Sequence, residues 1–249
     1  MCSKRIDLLR RAFVAMALAL STNAYAEPVD PVGKWLIERT MQAAEADMRS
    51  GATHQPGTGT YRVVKLADLD APDAVKKAFH QQIEQAKAGA VRVPAGTIPS
   101  VPALLALLPK AVRSDAVLRQ RLPAPPSNLQ RTALGAAELI GMEPSGALDG
   151  VRSSGLTRHF RLKGVGIVSF NEENFRAAGG TIETFEEAQN TQVNGIPAQL
   201  EPSIDGEGYG LVTLAWPLQG KAFQLTATGD ADVAHNARVL QEIAAAIND

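Results

Sequence analysis

The chain has 249 residues, of which 25 are basic, 26 are acidic and 45% are hydrophobic, with a formal net charge of −1. This hydrophobic content is enough for the core of one domain or of two small ones. Because charges of both signs are interspersed along the chain, the composition gives no electrostatic reason to expect nucleic acid as a partner.

The first 26 residues have the three-part layout of a secretory signal peptide. Basic residues precede an apolar run over 12–20, and Ala24 and Ala26 place small residues at the −3 and −1 positions. We therefore expect cleavage between Ala26 and Glu27 and a soluble mature protein that is periplasmic or secreted. The apolar run has roughly half of the ~20 residues needed to cross a bilayer, so we expect no transmembrane segment in the mature chain.

The cysteine content limits the chemistry of the mature chain. Cys2 is the only cysteine, and it would leave with the signal segment. The mature chain then cannot form a disulfide, a thiolate nucleophile or a cysteine-ligated metal site. It would keep 21 basic and 25 acidic residues, a net charge of −4.

The N-terminal region, residues 27–142, is predicted to be mainly helical. A first helix begins with Asp30 and Pro31 and ends at Gly51, and a second follows Pro72 and ends at Gly89, with a short strand from Tyr61 to Leu66 between them. The apolar residues predicted to face the core are Ile37, Met41, Ala44 and Met48 in the first helix and Val75, Phe79, Ile83 and Ala86 in the second.

Residues 90–150 are rich in Ala, Leu and Pro and contain short helical patterns. Ser100, Ser114 and Ser127 are predicted to cap helices over 101–108, 115–122 and 128–140, and a stiff proline connector separates the last two. The cluster of Gly, Pro and Ser over 141–155 predicts the boundary with a C-terminal region over 155–249.

After Gly155 the pattern changes to strands. Leu156–Lys163 and Val165–Phe170 are predicted strands, Thr181–Val193 is ambiguous, and Asn194-Gly195 is a turn signal. The clearest hairpin joins Tyr209–Trp216 to Ala222–Thr228. Residues on its predicted apolar face are Val212, Leu214, Trp216, Phe223, Leu225 and Ala227.

The last pattern is a helix that begins near Asp230 or Asp232. Its apolar side is predicted to cover one face of the sheet. The predicted fold class is therefore α+β, with a helical N-terminal region followed by a small antiparallel sheet covered by a C-terminal helix.

The order of elements over residues 191–247 resembles the C-terminal module of certain bacterial envelope proteins. The turn segment 193–198 (Val-Asn-Gly-Ile-Pro-Ala) is followed by a strand ending at Trp216, a strand around 223–229 and a short helix. Periplasmic regulators of anti-sigma factors and proteins similar to outer-membrane lipoprotein-sorting factors have this order. The resemblance implies sensing or binding at the envelope. The N-terminal half departs from these families, because it lacks the long strand series that a lipid-cradling half-barrel needs.

Four histidines, His54, His80, His159 and His235, are the candidate metal ligands and catalytic bases. Their spacing forms neither an HxxxH nor an HExxH pair, so a metal site would have to be assembled from distant segments. We interpret them as solvated or structural residues and assign no metal site.

Serines and paired carboxylates give equally little reason to assign a catalytic site. Ser145 lacks the first glycine of a nucleophile elbow, and strand spacing does not bring Ser153 or Ser154 to His159. Adjacent carboxylates at 172–173 and 186–187 point to different faces of a strand or helix, so we interpret them as solvated surface.

The apolar segment from Ile98 to Leu108 is a possible partner surface. Val101, Leu104, Leu105 and Leu108 cluster so densely that the helix is either buried, which we favour, or available for docking. Trp216 could be a ligand platform, although core packing is the favoured interpretation.

These features favour a non-catalytic periplasmic binding or sensor protein that acts on an envelope partner or an apolar ligand, with no cofactor. Two alternatives stay open. A secreted hydrolase would need a histidine within hydrogen-bonding reach of a Ser, Asp or Glu in a cleft. A structural or assembly accessory would dock through residues 98–108 and would need that segment to be exposed.

Overall fold

The computed structural model describes residues 31–50, 57–108, 115–149, 152–230 and 232–247. Several predictions concern residues outside these ranges, namely the cleavage site at Ala26 and Glu27, the helix signals Asp30, Gly51 and Ser114, and His54. Across the described ranges, no helix combines the length and the apolar character needed to cross a membrane.

Helices are concentrated near the two ends of the described chain, and strands dominate its second half. The α-helices are α1 (Pro31–Ser50), α2 (Asp73–Ala88), α3 (Val101–Leu107), α4 (Asp115–Arg119), α5 (Phe175–Ala178) and α6 (Val233–Ala245). The strands are β1 (Thr60–Val64), β2 (Val91–Val93), β3 (Glu138–Asp149), β4 (Arg152–Leu162), β5 (Gly166–Glu173), β6 (Thr181–Phe185), β7 (Thr191–Val193), β8 (Ile196–Asp205), β9 (Tyr209–Leu218) and β10 (Lys221–Asp230).

Most strands join one sheet, which we call the main sheet. Its order is β2-β8-β9-β10-β5-β4-β3, and β7 also pairs with β8. Its pairs are antiparallel except that of β2 with β8, and β1 and β6 form a separate parallel pair. The fold is thus mixed helix and sheet, as predicted. The sheet is larger than predicted, because β2, β3 and β8 are strands that the sequence pattern does not predict.

The hairpin of β9 and β10 is confirmed. Its turn residues Gln219 and Gly220 have φ of 51° and 87°, the positive values that a type I′ turn requires. The buried cross-strand pairs on its apolar face are Trp216 with Phe223, Leu214 with Leu225 and Val212 with Ala227. Trp216 is therefore a core residue, stacked on Phe223 at 5.3 Å between ring centroids.

The C-terminal helix covers this apolar face and closes the main core. Leu240, Ile243 and Ile247 pack in the same cluster as Leu214 and Leu225. The cap is Asp232, since its Oδ1 accepts the N–H of His235 at 2.9 Å. Both the helix and its position over the sheet were correctly predicted.

A second core lies between α1, α2 and β6. Phe79 of α2 is 1% exposed, and its ring contacts Trp35 and Phe185 at centroid distances of 6.0 and 5.1 Å. Val75 and Ile83 are buried beside it, as predicted. The core therefore joins two N-terminal helices to a strand from the middle of the chain.

The predicted core face of α1 is wrong at Ile37 and Met41. Ile37 and Met41 are 59% and 57% exposed. The helix packs instead through Val32, Trp35 and Leu36. Two apolar stripes compete on this helix, and tertiary contacts select the one that holds the tryptophan.

Residues 128–140 do not form the predicted helix. They contain a 3₁₀ turn at Ala133–Gly135 and then the start of β3. Ser127 is not a helix cap, because its N–H and Oγ both donate to Oε2 of Glu172, at 2.9 and 2.6 Å. The described residues within 141–155, predicted as a boundary, belong to β3 and β4.

Candidate functional site

A cavity of about 110 Å³ lies between the main sheet and the second core. It is somewhat smaller than an engineered apolar cavity of ~150 Å³ that holds benzene. One wall comes from β5, β8, β9 and β10, and the other from α2, β6 and Tyr61 of β1. The space suits a small molecule or one end of a larger molecule.

The sheet wall of the cavity is polar because of strand alternation. Gln199, Ala215, Gln224 and Asn171 are successive cross-strand partners on β8, β9, β10 and β5, so they form one row across the sheet. Their chain neighbours on these strands, such as Leu214, point into the main core. The residues of this row are therefore polar or small on the cavity side, and Trp216 and Phe223, from the apolar face of the hairpin, also line the cavity.

The opposite wall of the cavity is mainly apolar. Phe79 and Ile83 of α2 and Phe185 of β6 belong to the second core and also line the cavity. Ala86 and Ile182 extend this surface. The cavity is thus amphipathic. The wall of α2 and β6 is mainly hydrocarbon but also holds Gln82 and Glu183, whereas the sheet wall combines carboxamides and carboxylates with Trp216 and Phe223.

Glu201 of β8 is the most perturbed acid in the cavity. Burial raises its pKa to about 7, and the bond from Nε2 of Gln199 to Oε1 at 2.5 Å offsets this only in part. Burial also raises the pKa of Glu173, whose Oε1 accepts from Ser154 Oγ at 3.4 Å. Perturbed acids inside a cavity are typical of functional sites, although not specific to them.

Two further polar groups line the cavity. The carboxylate of Glu183 is paired with Arg62, at 3.7 Å between Oε2 and NH1. The Oε1 atom of Gln82, on α2, is buried and has no hydrogen-bond partner among the described residues. A buried acceptor is normally satisfied by protein, water or ligand, so Gln82 marks a place where a donor would be stabilised.

A second polar cluster lies at the β3–β4–β5 end of the sheet. His159 is 5% exposed, its Nδ1 lies 2.8 Å from Ser169 Oγ and its Nε2 lies 3.1 Å from Glu143 Oε1. The hydrolase hypothesis requires a histidine within hydrogen-bonding reach of a Ser, Asp or Glu. His159 satisfies this requirement through Ser169 and Glu143. These residues do not line the cavity described above.

The other candidate residues are dispersed. His80 is exposed and His235 is half-buried on α6. Ser145 Oγ accepts from Asn171 Nδ2 at 2.9 Å, and Ser153 Oγ donates to backbone carbonyls. Across the described ranges, no three His, Cys, Asp or Glu side chains are grouped so as to hold a metal ion.

The interpretation of the paired carboxylates as solvated surface is wrong for Glu173, which lines the cavity, and for two others. Glu172 is 5% exposed and accepts hydrogen bonds from Ser127 and Arg158. Glu187 is partly buried, and its carboxylate accepts the N–H of Leu66 at 3.0 Å. Both hold distant segments together, which spacing along the chain does not reveal.

The predicted partner surface is only partly covered. Ser100 caps α3, accepting from Ala103 N–H at 3.4 Å, as predicted. α3 holds no buried residue, so full burial of this helix is not observed. Its possible partner-surface residues Val101, Leu104, Leu105 and Leu108 are half-buried, and Leu107 beside them is 76% exposed. Docking through this helix stays a proposal.

The cavity residues are the part of the site that sequence reasoning missed. The row on the sheet could have been found from the polar positions that alternate with the predicted apolar face of the hairpin. Comparison with family models, with curated proteins and with solved structures found no match. The proposed function therefore depends on the geometry of the cavity.

Proposed function

We propose that the protein binds a small amphipathic molecule in the cavity between the main sheet and the second core, and that it does so outside the cytoplasm. The observation that carries this proposal is a cavity whose lining combines buried apolar side chains with half-buried polar ones. Ligand sites commonly combine a largely hydrophobic lining with a few placed polar groups. The sequence predicts an envelope partner or an apolar ligand, and the mixed lining of the cavity favours an amphipathic ligand instead.

The signal-like first 26 residues and the resemblance over 191–247 support the location and the class of function. A secreted protein that binds a small molecule at the envelope could act in transport, in sensing or in sorting. The volume of about 110 Å³ favours a ligand, or an inserted part of one, with a handful of heavy atoms.

Native mass spectrometry of mature protein purified gently from its own periplasm tests the proposal. We expect an added mass on the wild type that is absent from Ala215→Phe, because Ala215 lies in the middle of the polar row and a phenyl ring there would fill the cavity. Ala234→Phe, at an exposed position of α6, is the matched control. A wild type without bound mass, or an equal mass on Ala215→Phe, would contradict the proposal.

A secreted hydrolase is the second candidate, favoured by the alignment of Ser169, His159 and Glu143. A base beside a serine and a carboxylate beside the base are the elements of nucleophilic catalysis. Against it, β5 is paired on both sides, so its backbone N–H groups bind neighbouring strands and not a developing oxyanion.

Labelling with a fluorophosphonate probe separates the two candidates. The binding proposal predicts no covalent adduct on the wild type. An adduct at Ser169 that disappears in Ser169→Ala and persists in Ser145→Ala would favour the hydrolase instead.

A further inference from the structure

The chemistry of the cavity lining selects among amphipathic ligands by charge. Among the described residues that line it, three are glutamates, and none is Lys, Arg or His. The Arg62 guanidinium faces Glu183, whereas the hydrogen-bond partners described for Glu173 and Glu201 are neutral, namely Ser154 and Gln199. Among the described residues, two acids of the cavity therefore have hydrogen-bond partners but no basic partner.

Glu201 shares the cavity with a neutral acceptor and a hydrocarbon surface. Glu201 and its partner Gln199 are on β8, against which α2 packs, and Gln82 and Ile83 of α2 line the same cavity. The buried, unpartnered Oε1 of Gln82 is a second acceptor. An ammonium group has several N–H donors and no acceptor, which suits a lining that offers carboxylate and amide oxygens.

We infer that the cavity binds a small organic amine in its ammonium form, with the charged nitrogen at Glu201 and the hydrocarbon part against Phe79, Ile83 and Phe185. This inference rests on the proposed binding function and names the class of ligand. When Glu201 is ionised, a neutral ligand would leave the carboxylate desolvated without a counter-charge, and an anion would be repelled by it. A cation relieves both costs.

Binding of the amine is coupled to loss of a proton from the carboxyl group. When the acid is protonated, the ammonium ion binds as the carboxylate forms and one proton passes to solvent. Because burial raises the pKa of Glu201 to about 7, affinity should rise by about tenfold between pH 6 and pH 8, following the ionised fraction. Burial also raises the pKa of Glu173, which acts in the same direction.

The other ionisable groups that line the cavity do not reverse this dependence. They are Tyr61 of β1, Glu173 of β5 and Glu183 of β6; the described lining residues of α2, β9 and β10 carry no ionisable side chain. Burial raises the pKa of Tyr61 above its ordinary value of 10.0, so Tyr61 stays neutral from pH 6 to pH 8.

The test is an NMR titration of the full mature chain with three probes of similar size: n-butylamine, 1-butanol and butanoate. We expect n-butylamine to shift the side-chain amide signals of Gln82 and Gln199, with about tenfold tighter binding at pH 8 than at pH 6. We expect 1-butanol to bind more weakly than the amine at pH 8, and butanoate to bind most weakly.

Variants identify the side chain that binds the ammonium group and causes the pH dependence. Glu201→Gln should weaken n-butylamine binding and remove most of its pH dependence. Glu242→Gln, at an exposed position of α6 outside the cavity lining, is the matched control and should retain both. The wild-type comparison at two pH values needs no variant and decides the question if Glu201→Gln does not fold.

The outcomes separate this inference from the proposed function. If 1-butanol binds at the cavity as tightly as n-butylamine at both pH values, the amine inference fails and the binding function stands. If none of the three probes shifts cavity residues, the amine inference fails, and the native mass spectrum of the wild type then decides whether the binding function fails with it.

Discussion

Arg158 and Glu172 form an ion pair at the edge of the main core, with 2.7 Å between NH2 and Oε1 and side-chain exposures of 12% and 6%. The second carboxylate oxygen is held by Ser127, and the guanidinium of Arg158 lies 5.2 Å from the ring centroid of Phe170. The Glu172 carboxylate thus connects the loop at Ser127 to β4 and β5, two interior strands of the main sheet.

Replacement of Glu172 by Gln should destabilise the protein by about 3–5 kcal/mol, because the counter-charge of a buried arginine is removed. Urea unfolding followed by circular dichroism measures this loss. Glu138→Gln removes an exposed ion pair with Arg161 and should cost about 1 kcal/mol or less. Equal effects of the two substitutions would show that the buried pair has no special role.

Asp205 should govern the acid sensitivity of the fold. Burial alone would raise its pKa, but N–H groups of Tyr209, Glu207, Ile98 and Gly96 donate to its carboxylate and lower the pKa below its ordinary value. A lowered pKa in the folded state stabilises the protein above the unfolded pKa of ~3.9, and this stabilisation is lost as pH falls through the folded pKa.

The free energy of unfolding of Asp205→Asn, measured in urea from pH 3 to pH 7, should therefore be lower than that of the wild type at pH 7. Its decrease toward pH 3 should also be smaller. Asp70→Asn, at an exposed position, is the control and should keep the wild-type profile. A profile of Asp205→Asn parallel to that of the wild type would contradict the assignment.

Glu201 should have the opposite effect on stability. Its folded pKa of about 7 exceeds the unfolded value of ~4.3, so its contribution is fully present below pH ~4.3 and is lost as pH rises through 7. Glu201→Gln should therefore gain stability relative to the wild type as pH is raised from 4.5 to 8. Paired urea titrations measure this difference, and an unchanged difference across that range would show that the acid titrates normally.

The second core should depend on the ring of Phe79. Phe79→Ala should cost about 3–5 kcal/mol, because it opens a void between Trp35 and Phe185. Thermal unfolding, followed by tryptophan fluorescence, reports the change. Ile37→Ala, on the exposed side of α1, should change the free energy of unfolding by about 0.5 kcal/mol or less. A large loss of stability would instead show that Ile37 packs in the core, as the sequence predicts.

Local patterns predicted the local parts of this fold. The hairpin of β9 and β10 combines a turn that needs positive φ at Gln219 and Gly220 with strict alternation, and both signals lie within 22 residues of sequence. Asp232 and Ser100 cap their helices because a cap needs only a backbone N–H three residues away. These predictions needed no knowledge of distant contacts.

Long-range partners account for the errors and for the missed site. Ser127 has the pattern of a helix cap, but Glu172 accepts its hydrogen bonds and β3 forms where a helix is predicted. The cavity combines Gln82, Glu173 and Glu201, which lie in three distant parts of the chain. A single sequence shows that each of these residues is polar, but it does not show that they share a cavity.

The parallel pairing of β1 with β6, in which Thr60 lies beside Thr181, has a consequence for the order of folding. α1 and α2 can form early as the chain emerges, but their core stays open until Phe185 arrives. Contacts across such a sequence separation are slow to form. Since the sheet wall also requires Gln199 and Ala215, the cavity is completed late, and a ligand can stabilise the protein only after the two halves of the chain have met.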